Sequence, residues 1–215
     1  MTHEYKIQKI GGPYIQKIRN HQAISTILII ANVLFFITAI VILCSCEPAV
    51  DPTRQFLIRK GDHYASPTLS ETVQAQTLVF DARFNESAIY KLDGEYDQSD
   101  LNKLMGFCDC NSLPHENSAR FAWAWNNNQL EIYAYTYQNG TRYTQFIGTV
   151  TINEYNHFEL ELTSDQYVFT LNDLPAVTMK RGSTCKTGLY FKLWPYFGGH
   201  VAAPQDVVID IKPTY

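Results

Sequence analysis

Ser118 to Tyr137 reads SARFAWAWNNNQLEIYAYTY, two alternating runs on either side of three asparagines. Large apolar residues at every second position mark half-buried strands, and two such runs across a short Asn-rich break make a hairpin. Burial decides its register. If four residues separate Trp125 from Leu130, then Trp125 faces Leu130, Trp123 faces Ile132 and Phe121 faces Ala134, which gathers the apolar side chains on one side. The same register sets Ala124 opposite Glu131, Ala122 opposite Tyr133, Arg120 opposite Tyr135 and Ser118 opposite Tyr137 on the other side. A three-residue loop would place Trp123 against Glu131 and mix the two faces, which burial of one of them forbids. The even spacing is therefore the predicted one.

Outward from the hairpin the same signal repeats. TLVFDARF, AIYKL, RYTQFIGTVTI, HFELELT, QYVFTL, AVTMK, GLYFKLW and DVVIDI are short runs rich in β-branched and aromatic residues. QNG, SD, ND and RGST punctuate them, and a brief strand at Phe56 to Ile58 precedes a loop around Pro67. About ten strands with a turn every 8–12 residues predict an all-β, antiparallel two-sheet sandwich or barrel. Phe158, Leu160 and Leu162 are expected inside, with His157, Glu159 and Glu161 outside. In GLYFKLW, Leu189, Phe191 and Leu193 are expected inside, with Tyr190, Lys192 and Trp194 outside. QSDLNKLMG is the stretch with a helical option, although no helical period persists for three turns.

The first 46 residues have a different character. Lys6, Lys9, Lys17 and Arg19 precede an apolar run without a charged residue from Ala23 to Leu43, and LCSC ends at Cys46. A basic flank before an apolar stretch directs a chain into a membrane with its N-terminus left in the cytoplasm. Leu, a small residue, Ser and Cys resemble the lipobox of bacterial lipoproteins, which implies cleavage before Cys46 and lipid on its thiol. The run is longer than the roughly 7–15 residues of an ordinary signal core. The alternative is an uncleaved, single-pass signal anchor, since about 20 apolar residues span a bilayer. Residues 1–46 are thus read as a basic flank and signal segment, 47–53 (EPAVDPT) as a tether, and 54–215 as the β-domain.

Removing the four N-terminal basic residues and Glu4 from totals of 17 and 21 leaves 13 basic and 20 acidic residues, a formal charge of −7. Such a surface does not favour nucleic acid, whose binding rests on neutralised phosphates. Past Cys46 stand Cys108, Cys110 and Cys185. Cys108 and Cys110 are too near in sequence to bridge each other without strain, so one of them is expected to pair with Cys185 in a disulfide-permitting compartment; Cys110–Cys185 is the pairing carried forward. Neither CxxC nor HxxxH is present, and no zinc site is expected.

The polar face of the hairpin is the candidate site. Planar rings beside charged hydrogen-bonding groups suit sugars, whose apolar faces stack on aromatics while their hydroxyls bond to Arg, Lys or Glu. The glycan-binding candidates are Arg120, Tyr133, Tyr135, Tyr137, Lys192, Trp194, Tyr196 and His200. Tyrosine is also simply a good residue for a half-exposed strand, and Gly198 and Gly199 can serve only to turn the chain. LPHENSAR supplies His115 and Glu116, which with Glu131 are the candidates for acid–base catalysis, set against a loop that merely satisfies its own backbone. Glu159 and Glu161 share a strand face, but their alternation with Phe158, Leu160 and Leu162 is that of a solvated outer surface. Asp109 and Asp206 could contribute to a structural calcium site, without the acidic run of an EF-hand. No P-loop, GxGxxG or GxSxG occurs, and no other cofactor is expected.

GFCDCNSLPHENSARFAWAWNNNQLEIYAYTY followed by LYFKLWPYFGGHVAAPQDVVIDI resembles a group of Bacteroidota lipoproteins with a concanavalin A-like jelly roll, over about residues 54 to 215. LNKLMGF, HENSARF and PYFGG followed by APQD are its more specific marks. The resemblance implies a jelly-roll sandwich behind a hydrophobic signal helix, tethered by lipid in the cell envelope, at the outer membrane. YFK at Tyr190 to Lys192 resembles the last concave strand of alginate-lyase-type jelly rolls, whose Arg-x-Glu and Gln-Ile-His partners are missing here. The combined expectation is a lipid-anchored domain that binds a polysaccharide or oligosaccharide without catalysis. The alternatives are a glycoside hydrolase or lyase, and an envelope component that docks another protein.

Overall fold

The structure, a computed structural model, describes residues 28–33, 35, 52–73 and 76–214. The chain divides into two units, Met1–Asp51 and Pro52–Tyr215. In the first, residues 28–33 and 35 are helical, with Leu28, Ile29, Ile30 and Val33 exposed. Among the described residues no helix is long and apolar enough to cross a membrane. The basic flank, Cys46 with the residues before it, and most of the 47–53 tether lie outside the described residues.

In the second unit, alternation becomes two antiparallel sheets. The larger runs β10 (Val177–Lys180), β9 (Gln166–Leu171), β8 (Asn156–Leu162), β3 (Thr77–Phe84), β12 (Val207–Pro213), β1 (Arg54–Ile58), β2 (Ala65–Ser66). The smaller runs β11 (Lys192–Leu193), β4 (Asn102–Cys108), β5 (Ser118–Asn126), β6 (Gln129–Gln138), β7 (Thr141–Val150). Leu78, Phe80, Ala82 and Phe84 of β3, Phe158, Leu160 and Leu162 of β8, and Val207, Ile209 and Ile211 of β12 face inward. They meet Phe121, Trp123, Leu130 and Ile132 from the other sheet. Phe80 stacks on Phe158 at 5.1 Å, and the Phe121 ring stands edge-on to both Phe158 and Phe169. This is an all-β, antiparallel two-sheet sandwich, one of the two architectures that the pattern predicted and the one that the jelly-roll resemblance implies.

The hairpin pairs as its burial pattern requires, from Ser118 with Tyr137 to Trp125 with Leu130. Asn126 also pairs with Gln129, so the reversal itself is only Asn127 and Asn128, at φ 50° and 59°. Asparagine tolerates this left-handed region because its short amide bonds locally. The next turn repeats the device with Asn139 and Gly140.

Three predicted segments differ. AIYKL is not a strand: Asn85 caps a 3₁₀ turn, Glu86–Ala88, and Tyr90 then drops into the core against Trp123 and Phe197, its hydroxyl taking a hydrogen bond from Asn102. QSDLNKLMG is not a helix: a single helical turn, Glu95–Gln98, ends at its first residue, and the stretch then runs into β4. All seven residues of β4 are buried, so no alternation survives to be read. In GLYFKLW only Lys192 and Leu193 form a strand and the parity is reversed. Leu189 and Phe191 are exposed, whereas Tyr190 packs edge-on to Phe107 and Trp194 stacks on Phe56 at 5.1 Å. At this sheet edge the two large rings bury more area than the smaller side chains between them would.

Cys110 and Cys185 form a disulfide with their Cα atoms 5.9 Å apart. Cys108 is a buried free thiol, pushed up to about 11 by that burial. Asp109 is wholly buried; Arg181 donates to both of its carboxylate oxygens at 2.7 Å, and the Tyr167 hydroxyl donates as well. Asp206 instead accepts the Lys60 amide. The two acids therefore serve separate structural contacts, and among the described residues no group of three metal-ligating side chains forms.

Candidate functional site

The face of the smaller sheet turned away from the core carries a cleft of about 450 Å³. Cross-strand pairing builds its floor. Arg120 on β5 lies opposite Tyr135 on β6, and Tyr137 lies opposite Arg142 on β7. On the other side of β5, Gly106 stands opposite Arg120, where a Cβ would collide with the Ala119 carbonyl and crowd the Arg120 side chain. Lys103 enters from β4. The segment after β11 then returns over the sheet: Lys103 and Tyr196 exchange backbone hydrogen bonds of 2.8 and 3.0 Å. This seats Tyr196 in the wall, stacked on His63 at 5.2 Å and edge-on to Tyr64 at 5.0 Å.

Seven of the residues singled out in the sequence line this cleft: His115, Arg120, Tyr135, Tyr137, Lys192, Trp194 and Tyr196. Four others do not. Tyr133 packs edge-on to Phe146 and donates to Glu131, which also accepts from Asn126; both are engaged away from the cleft. Glu116 accepts the Leu113 amide within its own loop. His200 pairs with Asp97 at 3.0 Å, beside Tyr96. Ala122 and Ala124, on the same face of the hairpin, are fully buried, and the residues of the hairpin that line the cleft lie toward its Ser118 end. Tyr64, Lys103 and Arg142 also line the cleft and were not among the candidates. Arg142 was legible: a tight turn at Asn139 and Gly140 puts it opposite Tyr137. Lys103 was hidden in a stretch with no readable period, and Tyr64 in a loop.

The cleft is rich in positive charge. No Asp or Glu lines it, and among the described residues Lys103, Arg120 and Arg142 have no carboxylate within ion-pair distance. Lys192 is different, being held by Glu71 at 3.1 Å. Lys103 and Arg120 are only 5% and 6% exposed. Lys103 Nζ donates to the Gly198 carbonyl at 2.7 Å, whereas Arg120 Nε has no hydrogen-bond partner. Both cations lie over the Tyr135 ring, at 5.2 and 5.5 Å from its centroid. Such contacts are worth roughly 0.5–2 kcal/mol each, against a penalty of several kcal/mol for each buried ion. The rings leave a deficit. Burial accordingly lowers the Lys103 ammonium to about 8 and lowers Arg120, while burial and the neighbouring Tyr137 raise the Tyr135 phenol to about 12.

Chemically, the arrangement offers exposed rings for stacking, at Tyr64 above all (74% exposed), and charged donors that converge below them. Two-carboxylate glycoside hydrolysis needs a pair of acids flanking the bond, and the lining supplies none.

No protein-family model matches the chain, and no curated protein matches it either. Solved structures share its fold. Alginate lyase AlyC3 is similar at 11% identity over 75% of this chain and 74% of the lyase, with a TM-score of 0.55. A GH16 protein of the Bacteroides ovatus mixed-linkage glucan PUL, solved with a product, covers 78% of this chain and 83% of its own at 9% identity and a TM-score of 0.45. The carbohydrate-binding module CBM66 from Bacillus subtilis covers 76% and 81% at 12% identity and a TM-score of 0.35. At these identities the likeness is one of fold: the two-sheet β-sandwich of this chain is shared with the alginate lyase.

Proposed function

We propose that this chain binds a glycan in the cleft of its smaller sheet without cleaving it, and that lipid on Cys46 tethers it in the bacterial cell envelope. The convergence of Tyr64, Tyr135, Tyr137 and Tyr196 with unpaired cations in one open cleft carries the binding reading. It also matches the architecture shared with glycan-active proteins. Tyr64 and Tyr196 are the rings to test, because Trp194 is packed on Phe56 and its removal would disturb the core. Tyr64→Ala and Tyr196→Ala are each expected to weaken retention on glycan affinity gels roughly three- to tenfold while leaving thermal unfolding unchanged for Tyr64→Ala. Unaltered retention in both variants would remove the site.

The tether rests on the basic flank, the apolar run and the Leu-x-Ser-Cys stretch. Cys46→Ala is expected to leave the precursor uncut and unlipidated in cells, read by metabolic labelling with a fatty acid. Normal processing of that variant would rule out the lipid anchor, and a wild-type chain that is neither cut nor labelled would favour the signal anchor. A second functional reading, cleavage of the bound glycan, draws on His115, whose ring stands 5.1 Å from Tyr137 in the cleft. Release of shorter saccharides by the wild-type chain, lost in His115→Ala, would select it.

A further inference from the structure

We propose that the ligand of this cleft is anionic, a sugar bearing a carboxylate or sulfate seated among Lys103, Arg120 and Arg142. The inference rests on the reading of the cleft as a glycan site and adds the chemical class of what it takes.

Buried or half-buried cations elsewhere in the domain are paired with acids: Arg181 with Asp109, Arg83 with Asp210 and Arg54 with Glu71, which also holds Lys192 at the cleft. The mature chain carries 20 acidic residues against 13 basic ones, yet none of them lines this cleft. Arg120, only 6% exposed, keeps a buried Nε without a partner. A neutral sugar would leave the charge of the guanidinium uncompensated. An anionic group supplies the missing counter-charge, since a guanidinium donates paired hydrogen bonds to planar carboxylates and to sulfate oxygens. Gly106 holds open the space that Arg120 occupies, and Gly198 supplies the carbonyl that aims Lys103. Arg142, more exposed than either, stands at the junction with a neighbouring pocket lined by Asp100 and Tyr96, so further sugars can continue past it.

Lys103 gives the site a pH signature. Facing it are Asp100 on the loop before β4, Arg120 on β5, Tyr135 on β6, Arg142 on β7 and Tyr196 on the returning segment, with His115 lining the same cleft. Its ammonium titrates at about 8, so it is charged below that pH and attracts the anion there.

The test is calorimetric titration of the full-length chain with three oligosaccharides of matched length: a polyuronate, a sulfated glycan and a neutral glucan. At least one anionic arm is expected to bind about tenfold or more tighter than the neutral arm. That advantage should shrink with added salt and decline as pH rises through about 8 in wild type but not in Lys103→Met. Arg142→Gln, an exposed change that spares the fold, is expected to lower anionic affinity about tenfold. Arg120→Met should do at least the same. A polyuronate preference and a sulfate preference both support the inference and separate its two sources. Equal or better binding of the neutral glucan, insensitive to salt and to Arg142→Gln, would overturn it while leaving glycan binding intact. Failure of all three saccharides to bind would overturn glycan binding as well.

Discussion

Asp109→Ala is expected to cost the fold about 3–5 kcal/mol, the penalty for leaving a buried cation without its partner. Asp109 has no exposed surface, and its carboxylate receives Nε and Nη2 of Arg181 at 2.7 Å together with the Tyr167 hydroxyl. The Arg181 guanidinium, held well above its ordinary value chiefly by this bond, also reaches the Cys185 carbonyl and the Tyr190 hydroxyl at 3.3 Å. One carboxylate therefore ties the end of β4 to β9, to the strand-following segment at Arg181 and to the disulfide loop. Urea unfolding is the measurement: the midpoint should fall sharply with little change in slope. Replacing both charges, in Asp109→Leu with Arg181→Met, should recover part of the loss, since no buried charge is then unpaired, while the Tyr167 hydroxyl still lacks its acceptor. A single-variant loss below about 1 kcal/mol would mean that Arg181 is in effect solvated and the network unimportant.

Gly106→Ala should destabilise the domain by about 1–3 kcal/mol through overpacking and, unlike a remote core change, should also damage the cleft. A Cβ at this position would meet the Ala119 carbonyl oxygen and the Arg120 Cα, both backbone atoms that cannot rotate away. Relief requires β4 and β5 to separate, which displaces the Arg120 side chain lying across the same glycine and shifts Lys103 on the same strand. The expected result is a lower thermal midpoint together with weaker ligand retention at temperatures where the variant is still folded. An unchanged midpoint would show that the two strands do not approach as closely as described. Retention unchanged despite a lower midpoint would separate Arg120 from binding.

Strand parity was legible wherever large apolar residues alternate with polar or small ones. β5 and β6 pair in the predicted register, and β8 alternates as HFELELT predicted. It failed where that condition fails. β4 is covered on both faces, so Lys103 had no readable direction. At β11 a two-residue edge strand leaves the backbone free to turn, and Tyr190 and Trp194 rotated inward past Leu189 and Phe191. The candidate site was half legible for the same reason: Arg120, Tyr135 and Tyr137 follow from parity and Arg142 from the tight turn before it, whereas Lys103 and Tyr64 are brought in by their long-range pairing with Tyr196.

The sequence by itself determined the β-sandwich class, the hairpin register and which hairpin rings face the core, because a period of two against one buried face admits a single answer. Only the tertiary structure decided where the cleft opens and that it is cationic. Lys103, Arg120, Arg142 and Tyr196 come from four separate segments, and their convergence depends on the β4–β5–β6–β7 order and on the C-terminal return over the sheet. Local periodicity sets the face on which a side chain lies; which distant side chains share that face is settled by long-range pairing, and no local pattern encodes it.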